Sequence, residues 1–89
     1  MLTREVEIVN KLGLHARAAA KLVNLASGFD SSVELEKDGK RVNGKSIMSV
    51  MMLAASQGST LRLHVSGSDE HQAMNQVVQL ISERFGEGE

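Results

Sequence analysis

From Thr60 to Ser66 apolar and polar residues alternate without a break, Leu61, Leu63 and Val65 against Thr60, Arg62, His64 and Ser66. That is the period of a strand with one buried face. A weaker alternation runs from Leu2 to Val9, with Leu2, Arg4, Val6 and Ile8 on one side. Ser32–Lys37 alternates as well, and Asp38-Gly39 joins it to Lys40-Arg41-Val42 with the signature of a tight hairpin. Elsewhere the period is helical. Ala19, Leu22, Val23 and Ala26 fall at i, i+3, i+4 and i+7, predicting a helix that starts beside His15 and stops at Gly28. Ser46 stands as an N-cap before a short apolar helix over 47–55, which Gln57-Gly58-Ser59 ends. Ser68 as a cap, with Asp69 and Glu70 in the first turn, opens a last helix carried through Ala73, Met74, Val77, Ile81 and on to Phe85. Gly86-Glu87-Gly88-Glu89 then reads as a frayed tail.

The predicted order is βαββαβα. Strands with one polar face imply antiparallel pairing, so the expected class is α+β, a two-layer open-faced β-sandwich. Its four-stranded antiparallel sheet is covered on one face by three helices. A chain of 89 residues makes a single domain, 1–89, burying about 60–65% of the surface its unfolded form exposes.

Composition narrows the function. A net charge of −1, scattered Lys and Arg, no Trp or Tyr and only Phe29 and Phe85 argue against nucleic acid. No apolar run approaches a membrane span, and no signal peptide opens the chain. With no cysteine, disulfides and thiolate metal sites are excluded, and the cytoplasm is the simplest compartment.

The candidate chemistry lies in Gly13-Leu14-His15-Ala16-Arg17-Ala18. A helix beginning at Ala16 leaves its first-turn N–H groups unpaired, and these donors favour an anion. Arg17 adds a permanent cation whose guanidinium matches phosphoryl oxygens. Histidine titrates near about 6.5 as a residue type, so neutral, nucleophilic imidazole is plentiful at pH 7 without a separate base. A surface histidine merely ending a helix is the plainer alternative. In the short helix Ile47, Met48, Val50, Met51, Met52 and Leu53 encircle the axis, so one face cannot bury them all. Met48 and Met51 or Met52 are expected to stay exposed, on an adaptable docking patch.

Asn10-Lys11-Leu12-Gly13-Leu14-His15-Ala16-Arg17, then Gly44-Lys45-Ser46-Ile47-Met48, in this element order, resembles the histidine-containing phosphocarrier family, HPr, over essentially the whole chain. The resemblance implies that His15 takes phosphate from enzyme I, charged by phosphoenolpyruvate, and passes it to a IIA domain protein. On this reading the protein is no enzyme but a substrate of its partners, and it needs neither cofactor nor metal. By analogy the phosphate rides on Nδ1, held by Arg17 and the amides of Ala16 and Ala18. The resemblance further implies that Ser46 is a regulatory site for a kinase and phosphatase, and that Ile47, Met48 and Met51 dock partners on a monomer. Ala18 departs from the family, which usually has proline there; alanine restores an N–H to the first turn. The 10–13 loop, the Gly28-Phe29-Asp30 corner and the ending near Phe85-Gly86-Glu87 look like the nitrogen-related branch, as opposed to sugar transport.

Two other readings compete. One is a regulatory binding module that signals through Ser46 and the apolar patch alone; retention of both His15 and Arg17 argues against it. The other is a metal site of His15, His64 and His71, disfavoured because His64 alternates onto the polar sheet face and His71 opens the last helix, both as solvated side chains.

Overall fold

The computed structural model describes residues 1–88. Its elements are β1 (Leu2–Glu7), α1 (Ala16–Ser27), β2 (Ser32–Lys37), β3 (Lys40–Asn43), α2 (Ile47–Met51), β4 (Thr60–Ser66) and α3 (Glu70–Ser82). The order is the one the periodicity predicts. The sheet runs β1-β4-β2-β3, every pair antiparallel, with β4 between Leu2↔Val65 on one side and Val33↔Val65 on the other. Because side chains alternate, Val33, Leu35, Leu61, Leu63 and Val65 all point to one face and are buried there under the helices. The opposite face carries Thr3, Glu5, Glu34, Glu36, Arg62 and His64, so the sheet is open on that side. Asp38 (φ 51) and Gly39 (φ 82) make the hairpin turn with both central residues left-handed, the geometry that matches strand twist.

Helix α1 buries Ala18, Ala19, Leu22, Val23 and Ala26, the stripe read from the sequence plus one residue. In α3 the buried positions are Ala73, Met74, Val77 and Ile81. The two stripes meet the inner sheet face in one hydrophobic cluster.

Several boundaries differ from expectation. β1 ends at Glu7, before Val9. α2 covers one turn and stops well short of Ala55, since Ala54 adopts φ 50 and Leu53 and Ala54 make the short i−3 bonds of a closing turn. α3 is not capped by Ser68. Asp69 holds the cap position, and its carboxylate turns away to accept from the N–H groups of Asp30 and Ser31, each at 2.9 Å, and from the Ser31 hydroxyl. Those bonds, Ser31 Oγ first and the Asp30 amide next, hold the Asp69 carboxyl below its usual range.

The C-terminal segment is the larger correction. α3 ends at Ser82, and Arg84, Phe85 and Gly86 all take left-handed φ (59, 53 and 76). This turn reverses the chain and buries Phe85 completely. Spacing from Ile81 suits a helix equally well, but the core is reached by the turn. Residues 86–88 therefore leave an anchored aromatic instead of fraying; Glu89, also assigned to the tail, lies outside the described residues.

Candidate functional site

The loop before α1 is pinned at both ends. The Asn10 carbonyl accepts from Gly13 N–H (3.2 Å), and Asn10 Nδ2, wholly buried, donates to the Gly13 carbonyl (2.8 Å). Leu14 N–H then donates to the Ala55 carbonyl at 2.8 Å. Gly13 makes this approach possible: its φ is +67, and a Cβ there would lie 2.6 Å from the Ala55 oxygen. The loop therefore delivers the next residue, His15, to a fixed place.

That place is the N-cap of α1, with extended backbone and a side chain that makes no capping bond. Ser, Thr, Asp or Asn at this position usually satisfies a first-turn amide. Here the amides of Ala16, Arg17 and Ala18 have no acceptor among the described residues, since the first intrahelical bond to this turn is Ala19 N–H to the His15 carbonyl. Arg17 is exposed, and among the described residues no hydrogen bond or ion pair engages its guanidinium. An open cleft of about 670 Å³ lies over them, lined by Lys11, Leu12, His15, Ala16, Arg17, Lys21, Gly86 and Glu87. Helix-end donors and nearby cations beside an accessible imidazole suit a phosphoryl group.

The sequence did not show what stands on the other side of His15. Past the buried Phe85, Glu87 returns to the cleft, where Oε2 meets His15 Nε2 and Oε1 accepts from Asn10 Nδ2 at 2.9 Å. Lys21 Nζ donates to the Phe85 carbonyl (2.6 Å), tying α1 to the same turn. The Asn10 amide, followed by His15, keeps the Glu87 carboxyl below its usual range. Asn10, Lys21 and Glu87 are thus site residues that sequence reasoning missed; a lone Phe beside the C-terminal glycine was the one signal of an anchored tail.

The second region matches expectation in outline. Ser46 is the N-cap of α2, its Oγ accepting from Ser49 N–H at 3.3 Å. Met48 is 79% exposed, with Ile47, Met51 and Met52 also outward and only Val50 of that turn buried. Exposed Leu12, in the His15 loop, is a further apolar residue not singled out from the sequence.

The structure does not bring the three histidines together. His64 sits on the open sheet face as expected but is not solvated: it is 8% exposed, its Nε2 bonded to Glu36 Oε1 at 2.8 Å. Thr3 and Glu34 flank it in register, which explains the burial. The bond to His64 lowers the pKa of Glu36. His71 is exposed in the first turn of α3. Among the described residues no cluster of His, Asp and Glu could hold a metal. Nor is any described helix long and apolar enough to cross a membrane.

Comparison with known proteins covers the same elements. Residues 2–83 match the family model described as "PTS HPr component phosphorylation site". The chain is 56% identical to the phosphocarrier protein HPr of Cupriavidus necator over 89 residues, all of both chains. The crystal structure of HPr-C-His from Thermoanaerobacter tengcongensis is similar at a TM-score of 0.95 and 49% identity, covering 98% of each chain. A structure titled as an HPr dimer from the same organism matches at 0.79 and 51% identity, over 92% of this chain and 94% of that one. With fold and sequence in agreement across nearly the full length, the chain belongs to the HPr family of phosphotransferase-system phosphocarriers.

Proposed function

We propose that His15 is the residue that carries the phosphoryl group, accepting it from enzyme I charged by phosphoenolpyruvate and yielding it to a IIA domain protein. The observation that carries this reading is the uncapped N-terminus of α1: His15 occupies the cap position without capping, so its ring shares one cleft with Ala16 and Arg17, the first two residues of the helix. The phosphoryl oxygens would take the N–H groups of Ala16, Arg17 and Ala18 together with the Arg17 guanidinium. Ala18, where the family usually has proline, adds a donor and so suits the role.

The protein acts as a substrate of its partners in the cytoplasm and performs no turnover of its own. Ile47, Met48 and Met51 form the docking patch, since their exposure next to α1 gives a partner apolar surface to desolvate. Ser46, at the edge of that patch, is the regulatory position: phosphate there would set a charge of about −1.5 to −2 against a surface that must lose its water. The protein works as a monomer; the dimeric relative makes its solution mass worth measuring alongside the transfer assay.

The test is incubation with enzyme I and phosphoenolpyruvate, followed by intact mass. Wild type should gain one acid-labile phosphate, His15→Ala none while keeping its melting temperature, and Arg17→Ala one at a slower rate. Undiminished phosphorylation of His15→Ala would overturn the assignment.

A further inference from the structure

The carboxylate over His15 gives the site a polarity that the cradle alone lacks. A carboxylate has only acceptor atoms, so a hydrogen bond between Glu87 Oε2 and His15 Nε2 requires the proton to be on Nε2. The bond is not a loose surface contact. Glu87 Oε1 is held by Asn10 Nδ2, and Asn10 is completely buried and tied in turn to the Gly13 carbonyl, two residues before the ring. Through Asn10, the loop that seats His15 is thus joined to the tail that reaches its ring.

We infer that Glu87 is a positioning residue for phosphoryl transfer, which holds His15 as the Nε2–H tautomer and so presents the Nδ1 lone pair to the phosphoryl donor. The inference rests on the reading of His15 as the acceptor. In the step itself, the Nδ1 lone pair forms the N–P bond while the donor's bond to phosphorus breaks and its electron pair stays on the donor. No proton has to leave. The ring gains a unit of positive charge, with Nε2–H still attached, and Glu87 is the anion that faces it. Among the described residues the other charged groups lining the cleft are cations, Arg17 and Lys21 from α1 and Lys11 from the loop, and these suit the phosphoryl oxygens, not the imidazolium. Glu87 separates the two needs of the site: cations and amides for the phosphate, a carboxylate for the ring. In this it does for His15 what a buried carboxylate does for the histidine of a hydrolase triad, orienting the ring and opposing its charge.

The experiment compares wild type, Glu87→Ala and Glu87→Gln. First, ¹⁵N chemical shifts of the two ring nitrogens are recorded on the protein alone at about pH 8.5, above the ordinary histidine range. Wild type should show Nε2–H as the single tautomer, Glu87→Ala should move toward the mixture of a free histidine side chain, and Glu87→Gln should stay closer to wild type through its amide oxygen. Second, the rate of phosphate acceptance from enzyme I is measured. Loss of one charge-assisted hydrogen bond predicts Glu87→Ala slower by about 10- to 100-fold, with Glu87→Gln between the two. Unchanged ring shifts in Glu87→Ala overturn the inference, as does faster acceptance, which would make Glu87 an obstacle. If wild type itself takes no phosphate, the acceptor reading falls, whereas the ring shifts still decide whether Glu87 fixes the tautomer.

Discussion

Replacing Gly13 by alanine should damage the protein more than any conformational preference explains. The residue sits at φ +67, where an L side chain costs about 1–2 kcal/mol. Its added Cβ would lie 2.6 Å from the Ala55 oxygen and 2.8 Å from Ser56 Cα, backbone atoms that cannot turn aside. Relief requires the loop to lift, and lifting stretches the Leu14 N–H bond to that same oxygen, about another 1 kcal/mol. With residual crowding the total comes to about 2–4 kcal/mol. Gly39 supplies the internal control. Its φ of +82 imposes a similar conformational cost, but nothing lies within 4 Å of a Cβ there, so Gly39→Ala should cost only about 1–2 kcal/mol. For a domain of this size each kcal/mol lowers Tm by about 4–8 °C. Thermal melts should therefore place Gly39→Ala about 5–15 °C below wild type and Gly13→Ala about 10–30 °C below. Gly13→Ala should also accept phosphate more slowly at temperatures where it is fully folded, because the loop that seats His15 has moved; Gly39→Ala should not. Equal melting losses in the two variants would refute the steric argument.

Two further outcomes can be checked. The Asp69 carboxyl has a folded pKa below its unfolded value, so its contribution is fully present above the unfolded pKa of about 4 and disappears as pH falls through the folded value. In urea titrations across pH, the stability gap between wild type and Asp69→Asn should narrow in acid; a gap independent of pH would show that those bonds do not favour the ionised form. Met48→Glu should weaken binding to enzyme I strongly and leave Tm within a few degrees, since the side chain is 79% exposed, and equal loss in both would make Met48 a core residue.

The elements that sequence made plain are those whose register is local. β4 alternates because both its neighbours pair with it and only one face is covered; α1 shows its stripe because Ala19, Leu22, Val23 and Ala26 pack under it. The Asp38-Gly39 turn follows from two residue types that tolerate positive φ. His15 and Arg17 were legible as a pair at a helix mouth for the same reason. Glu87 was not, as its partners lie 72 and 77 residues away and a glycine-flanked glutamate carries no periodicity. Asn10 looked like an ordinary loop residue, although its burial is what ties loop to tail. The short reach of α2 was hidden because Met52–Ala55 continues an apolar run, while the backbone turns left-handed at Ala54.

The left-handed turn at Arg84–Gly86 has a thermodynamic consequence of its own. Burying Phe85 contributes about 1.5–3 kcal/mol, and holding Arg84 and Phe85 at positive φ opposes that by about 1–2 kcal/mol apiece. The tail is thus retained by a narrow margin, made up by the Lys21 and Asn10 bonds, while the strands beneath it share the stability of the whole core. The amides of Gly86 and Glu87 will exchange with solvent through a local opening that leaves Leu63 protected. In each such excursion His15 keeps its helix end and loses its carboxylate, so a fraction of molecules set by the packing of one phenylalanine carries the histidine without its partner anion.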